Sequence, residues 1–139
     1  KKRMLFDPQK SIDFQGDTGP FIQYTHARIK SLIRRGQQAG VTASLNDPAT
    51  DLTAEMEVLE VLAQFPKAVQ DAGKNYSPAI VANYVYELSK AFNKYYANVL
   101  LFDENAKQQL PTRLAFCTSV AQTIKLGMNL LGINVPEKM

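Results

Sequence analysis

Residues 19–35 read GPFIQYTHARIKSLIRR, and the fold is organised around this stretch. At roughly 100° per residue its apolar side chains fall on one arc of a helical wheel, which is the pattern of a core-facing helix. The arc contains Ile22, Thr25, His26, Ile29, Leu32 and Ile33. We therefore predict a helix from about residue 20 to residue 35, with Asp17 or Thr18 as its N-cap.

A second, narrower arc of the same helix combines aromatic and basic side chains. Its members are Phe21, Tyr24, Arg28, Ser31 and Arg35. Rings stack on exposed bases and guanidinium groups stack or pair with phosphates, so this arc is suited to single-stranded nucleic acid. The alternative is that the rings only widen the apolar face and the arginines are solvated. Periodicity alone favours this second interpretation.

Composition indicates one globular domain. The chain has 139 residues, of which 45% are hydrophobic and 21% charged, values that fit neither a disordered chain nor a membrane protein. No apolar run is long enough for a bilayer span and no signal-peptide core follows the basic start, so we expect a soluble protein without a membrane partner. A net charge of +3 permits a polyanionic partner without requiring one. The single cysteine, Cys117, excludes an internal disulfide and agrees with a reducing, cytoplasmic compartment.

Four more helices are predicted after a polar loop at residues 36–50. They begin at Asp51 or Thr53, at Pro66, at Pro78 and at Pro111. Proline is favoured in the first turn of a helix, where its missing N–H costs nothing. In the third of these helices, neighbouring Tyr95 and Tyr96 point roughly 100° apart, so we expect one of the two rings to be partly exposed.

The helix that begins near residue 51 is predicted to bury an apolar face and to expose its acids. The apolar face contains Leu52, Met56, Leu59 and Leu62 or Ala63, whereas Glu55, Glu57 and Glu60 fall elsewhere on the wheel. Residues 1–20 mix short alternating pieces with Pro and Gly, which is typical of extended chain or a small hairpin. The predicted fold is all-α, a single bundle of four to five helices behind a short irregular N-terminal connector.

The chain lacks the side chains that the common catalytic and metal sites require. One histidine and one cysteine are too few for a zinc site. His26 lies at the edge of the core face, where a hydrogen-bonded packing residue is expected, and Cys117 lies in the apolar phase of its helix. A nucleophile with its base cannot be assembled from these residues. A binding module is therefore the better class of function.

Several stretches together resemble the C-terminal region of arginyl-tRNA synthetases. They are GPFIQYTHAR at 19–28, YSP at 76–78 with NY at 83–84, FNKYY at 92–96 and GMNLLGINVPEKM at 127–139. The resemblance covers nearly the whole chain in the right order. It implies a DALR-type helical anticodon-binding domain at residues 20–139, preceded at residues 1–19 by a connector from the class I catalytic domain.

The resemblance also implies what the chain works with. The parent enzyme activates arginine with ATP and magnesium and transfers it to tRNA-Arg. The class I ATP signatures are not in this sequence, so the piece is not expected to catalyse that reaction alone or to hold a cofactor. Its implied partners are the anticodon stem-loop of tRNA-Arg and the catalytic domain of the same chain, and no oligomer is implied.

By the same resemblance, Phe21, Tyr24, Arg28 and Tyr96 lie against the splayed anticodon loop. Met139, with its free carboxylate, approaches the middle anticodon base. Every arginine anticodon has C in the middle, and a carboxylate can accept a hydrogen bond from the amino group of C. The complete predicted site is Phe21, Tyr24, Arg28, Ser31, Arg35, Tyr96 and Met139.

Relatives can carry Tyr where this chain has Phe21. Phe keeps a ring that can stack, but it lacks the hydroxyl and the hydrogen bond that this group could make. Two other functions remain open. One is the helical anticodon domain of a different synthetase. The other is a helical protein-interaction domain that makes no contact with RNA.

Overall fold

A computed structural model describes residues 7–13, 18–45 and 51–139 of the chain. Its α-helices are α1 (Pro8–Ser11), α2 (Gly19–Gln38), α3 (Met56–Ala63), α4 (Phe65–Lys74), α5 (Pro78–Asn98) and α6 (Leu110–Leu130), and 3₁₀ helices lie at Thr53–Glu55 and Glu104–Gln109. Within these described residues there is no strand. The predicted all-α architecture is confirmed, with α2 to α6 as the five helices of the bundle.

Helix α5 lies at the centre of the bundle, with α2, α3, α4 and α6 packed against it. Phe92 of α5 is fully buried beside the rings of Tyr95 and Phe116. Helix α6 approaches α5 so closely at Gly127 that a Cβ there would stand 2.3 Å from Cγ1 of Val85. The predicted core face of α2 is confirmed, since five of its six members are buried and Ile33 is partly buried.

Helix α2 begins at one of its two predicted caps. The hydroxyl of Thr18 accepts from the backbone N–H of Phe21 at 3.3 Å. Just after the end of α6, Gly132 has a φ of +73°, a conformation that glycine adopts without steric cost. The N–H of Ile133 then donates to the carbonyl of Met128 at 3.0 Å, which closes the last turn. From here the chain runs back along α2.

Two predicted boundaries and part of one predicted apolar face are wrong. Residues 8–11 form α1 rather than extended chain, because the carboxylate of Asp7 accepts from the N–H of Gln9 at 3.0 Å and Pro8 starts the helix. The polar loop begins later than predicted, since α2 continues to Gln38. Met56 and Ala63, which the helical wheel places on the buried face of the next helix, are exposed. The rest of the predicted connector, at residues 1–6 and 14–17, and the end of the loop, at 46–50, lie outside the described residues.

The predicted solvated face of α3 is wrong at Glu55, whose side chain is completely buried. The hydroxyl of Tyr95 donates to its Oε1 at 2.7 Å, and Nε of Arg113 lies 3.3 Å from the same oxygen. Glu55 ends a 3₁₀ helix rather than lying inside an α-helix, so the α-helical wheel assigns it to the wrong side. Glu57 and Glu60 are exposed as predicted.

No helix in the described part of the chain combines the length and the apolar character that crossing a bilayer needs.

Candidate nucleic-acid interface

The guanidinium of Arg28 lies between two tyrosine rings contributed by different helices. Its Cζ is 4.8 Å from the ring centroid of Tyr24, one turn earlier on α2, and 5.1 Å from that of Tyr96 on α5. A cation above an aromatic face at these distances is attracted by the ring quadrupole. Both rings nevertheless remain 38% exposed, so each can still offer part of its surface to another flat group.

A polar bridge beneath this stack ties α2 to α5. The carboxamide oxygen of Asn93 accepts from Arg28 at 2.5 Å, and its nitrogen donates to the hydroxyl of Thr25 at 2.7 Å and to the carbonyl of Ser89 at 3.0 Å. Thr25 in turn donates to the carbonyl of Phe21 at 2.9 Å. Because these polar groups have definite partners, Arg28 is held in one orientation before any ligand arrives.

The stack forms one wall of an open cavity of about 520 Å³, which we call the Arg28 cavity. Its lining residues are Tyr24, Ala27, Arg28, Ser31, Arg34, Tyr96, Lys138 and Met139. Three of them are cationic and none is acidic. A concave surface with rings, guanidinium groups and no carboxylate side chain attracts a polyanion with unpaired bases.

The C-terminal segment, residues 134–139, closes the other side of the cavity because side chains of α2 hold its backbone. Gln23 donates to the carbonyl of Asn134 at 2.9 Å, and Arg34 donates to that of Glu137 at 2.9 Å. Nδ1 of His26 lies 2.8 Å from the carbonyl oxygen of Pro136. These contacts bring Met139, which is 59% exposed, to the same cavity as Arg28.

His26 is confirmed as a buried, hydrogen-bonded residue. A carbonyl can only accept, so Nδ1 must carry the proton of this bond. Burial lowers the pKa of His26, against the opposing effect of its bond to Pro136, and the ring is therefore neutral near pH 7. Cys117 is also buried in its neutral form, since burial raises the pKa of its thiol to about 12. Neither side chain reaches the Arg28 cavity.

The structure brings five of the seven predicted site residues together in the Arg28 cavity, namely Tyr24, Arg28, Ser31, Tyr96 and Met139. The other two lie elsewhere on the surface of α2. The ring of Phe21 packs against that of Tyr86, with centroids 5.5 Å apart. The guanidinium of Arg35 lies 4.2 Å from the ring centroid of Phe102.

Sequence reasoning missed three residues of the cavity, Ala27, Arg34 and Lys138. On the wheel of α2, Ala27 and Arg34 fall outside both the apolar and the aromatic arc, although Ala27 is buried. The C-terminal segment covers this side of the helix. Ala27 and Arg34 are seven residues apart, so they lie on one stripe of α2, and this spacing is visible in the sequence. The sequence of α2 does not show which segment packs against that stripe.

Among the residues that the structure describes, no cluster of His, Cys, Asp and Glu has the arrangement that a metal ion needs. The chemistry available in the Arg28 cavity is stacking, hydrogen bonding and charge.

Comparison with protein families gives a match over most of the chain. A family model described as the DALR anticodon binding domain matches residues 22–139. The arginine–tRNA ligase of Amoebophilus asiaticus is 50% identical over all of this chain, which corresponds to 24% of that protein. The arginine–tRNA ligase of Parabacteroides distasonis is 43% identical with the same coverage. The chain therefore spans about a quarter of the length of these relatives.

Solved structures give the same answer for the fold. Arginyl-tRNA synthetase from Thermus thermophilus superposes on 100% of this chain with a TM-score of 0.87 and 31% sequence identity, through 24% of its own length. The enzyme from Plasmodium falciparum superposes on 96% of the chain with a TM-score of 0.77 and 28% identity, through 23% of its own length.

Proposed function

The chain belongs to the DALR anticodon-binding domain family, and from this premise we propose that it reads the anticodon of tRNA-Arg as part of an arginine–tRNA ligase. The full protein would activate arginine with ATP and magnesium and transfer it to the tRNA, in the cytoplasm. This chain would recognise the tRNA, and the catalytic domain of the same full-length protein would be its neighbour. Residues 1–19, which precede the family match at residues 22–139, would be the connector to that domain.

The observation that carries the proposal is the position of Arg28 between Tyr24 and Tyr96 at the wall of a cavity that Met139 also lines. Bases splayed out of an anticodon loop can stack on the exposed parts of the two rings, at about 1–3 kcal/mol per base and with little sequence preference. Arg28, Arg34 and Lys138 would add a salt-dependent attraction to the phosphates.

Specificity requires a different kind of contact, to the edge of a base. The middle anticodon base of every arginine tRNA is C, whose amino group donates a hydrogen bond. Backbone carbonyls of the C-terminal segment, which reaches the cavity at Lys138 and Met139, would suit this donor. Ser31, which also lines the cavity, can donate to or accept from a neighbouring base. Phe21 and Arg35 would extend the contact along α2 outside the cavity.

The test is a binding titration of the chain with two anticodon stem-loops of an arginine tRNA, one unchanged and one with the middle C replaced by U. U lacks the amino donor, so the unchanged loop should bind more tightly at every salt concentration. Affinity for both should fall with salt, by roughly 0.7 in log K per log unit of salt for each phosphate contact to single-stranded RNA.

Two results would contradict the proposal. Equal affinity for the two loops would favour the anticodon domain of another synthetase. Absence of binding above that of an unrelated hairpin would favour a protein-interaction domain.

A further inference from the structure

We propose that Gln23 and His26 are positioning residues, which set the specificity of the Arg28 cavity by fixing the path of the C-terminal segment. This inference rests on the proposed function. Neither residue lines the cavity, so neither would touch the RNA. Their action would pass through the backbone of residues 134–136 to Met139.

The geometry of the contacts supports this role. The two side chains lie three residues apart on α2, so they point from nearly the same face of the helix. Gln23 donates to the carbonyl of Asn134 at 2.9 Å and His26 to that of Pro136 at 2.8 Å. Both acceptors are backbone atoms, two residues apart. The pair therefore fixes the direction of the chain, whatever side chains the segment carries.

The segment depends on such contacts because helix α6 has already ended. After the turn at Gly132, the C-terminal segment has no helical hydrogen bonds of its own within the described residues. Two cations of α2 also hold the segment. Arg34 donates to the carbonyl of Glu137, and Nζ of Lys30 lies 3.3 Å from the carboxylate of the same residue. These two are cations, and Arg34 lines the cavity, so their substitution would also change the attraction for phosphate.

Gln23 and His26 permit a cleaner test because both are uncharged in the folded chain. Gln23→Met keeps the length of the side chain and removes its donor. His26→Leu keeps a branched side chain in the buried position and removes Nδ1. His26→Asn restores a donor, since the amide nitrogen of Asn is the same number of bonds from Cα as Nδ1. Gln38→Met, at the exposed end of α2, is the matched control.

Two measurements are made on each variant. The first is the ratio of affinities for the stem-loop with C and the stem-loop with U at the middle position. The second is the ¹⁵N order parameter of the backbone N–H groups of Val135, Glu137, Lys138 and Met139, which falls when a segment becomes mobile. Gln23→Met and His26→Leu should lower the affinity ratio roughly three- to tenfold, the range for loss of one hydrogen bond, and should lower these order parameters. His26→Asn and Gln38→Met should retain both properties.

A general loss of structure would weaken binding to both loops equally and leave the ratio unchanged, and this result would overturn the inference. An unchanged ratio together with lowered order parameters would overturn it too, since the segment would then be mobile without any effect on specificity. Both results leave the proposed function intact, because the unchanged chain still distinguishes C from U. If the unchanged chain does not distinguish the two loops, the proposed function itself fails and the inference fails with it.

Discussion

Asn93 on α5 accepts a hydrogen bond of 2.5 Å from the guanidinium of Arg28 on α2, and through it the two helices that wall the Arg28 cavity are joined. The same carboxamide donates to Thr25, which is fully buried. One side chain therefore both stabilises the packing of α2 on α5 and orients the cation of the site.

Replacing Asn93 with alanine should affect stability and binding together. Loss of the bridge leaves the hydroxyl of Thr25 without this donor, so we expect the free energy of unfolding to fall by about 1–3 kcal/mol. With Arg28 no longer oriented, affinity for the stem-loop should fall as well. Urea denaturation and a binding titration measure the two effects.

Asn98→Ala is the matched control on the same helix, since the side chain of Asn98 is exposed and donates to the carbonyl of Lys94 at 2.8 Å. This variant should bind like the parent. If Asn93→Ala also binds like the parent, Arg28 does not need its partner and this prediction is wrong.

Truncating Tyr96 tests whether a base stacks beside Arg28. Tyr96→Ala should weaken binding to the stem-loop by about 1–3 kcal/mol, whereas Tyr96→Phe, which keeps the ring, should lose much less. Tyr76→Ala serves as the control, because that ring is 96% exposed and lies outside the cavity. Equal losses for Tyr96→Ala and Tyr76→Ala in the same titration would argue against stacking at this position.

Glu55 is buried, whereas Glu57, two residues later, is exposed. Replacing the two glutamates should therefore lower the free energy of unfolding by very different amounts. Glu55→Ala removes the partner of Tyr95 and leaves the guanidinium of Arg113, which is 11% exposed, without its carboxylate, so unfolding should become easier by about 3–5 kcal/mol. Glu57 also has a cationic partner, Lys94, at 2.7 Å, but in solvent. Glu57→Ala should therefore cost at most about 1 kcal/mol.

Urea denaturation of both variants measures this contrast. Similar losses for the two substitutions would mean that burial of Glu55 adds nothing to the energy of its contacts.

Stability should fall as the solution becomes alkaline. Burial raises the pKa of Tyr84 to about 12 and that of Cys117 to about 12. In the unfolded chain these groups lose their protons near pH 10 and 8.5. Between about pH 9 and 12 the unfolded chain therefore holds fewer protons than the folded one, and the free energy of unfolding decreases as pH rises.

Tyr84→Phe should flatten this decrease between pH 10 and 12 in denaturation curves recorded at several pH values. Tyr76→Phe is the matched control, because it removes a hydroxyl from a side chain that is 96% exposed. A slope that is the same in Tyr84→Phe and in the parent would contradict the assignment to Tyr84.

Local sequence signals were sufficient for most of the fold. The apolar arc of α2 and the prolines near the starts of α4, α5 and α6 all have local causes, namely helical periodicity and the geometry of a first turn. The exposure of Tyr96 beside buried Tyr95 follows from the same periodicity. The short helix α1 had a local signal too, in Asp7-Pro8, which the glycines and prolines that follow obscured.

Most of the other misses have non-local causes. The carboxylate of Glu55 accepts from Tyr95, 40 residues away along the chain, and no local helical periodicity can report that contact. The side of α2 that carries Ala27 and Arg34 looks solvent-facing until the C-terminal segment covers it. The helical wheel also grouped Phe21 and Arg35 with Tyr24 and Arg28. In the structure Phe21 packs against Tyr86 and Arg35 against Phe102, and the positions of these partners cannot be read from α2 alone.

The bonds between α2 and the C-terminal segment join residues that are 103 to 111 positions apart. Most of the chain lies between the residues that these bonds join, so the two sides of the Arg28 cavity meet only when α2 has packed against α6. The capacity to bind RNA should consequently vanish at the same denaturant concentration as the helical signal. A simple retention assay on an immobilised stem-loop would then count correctly folded molecules in a preparation.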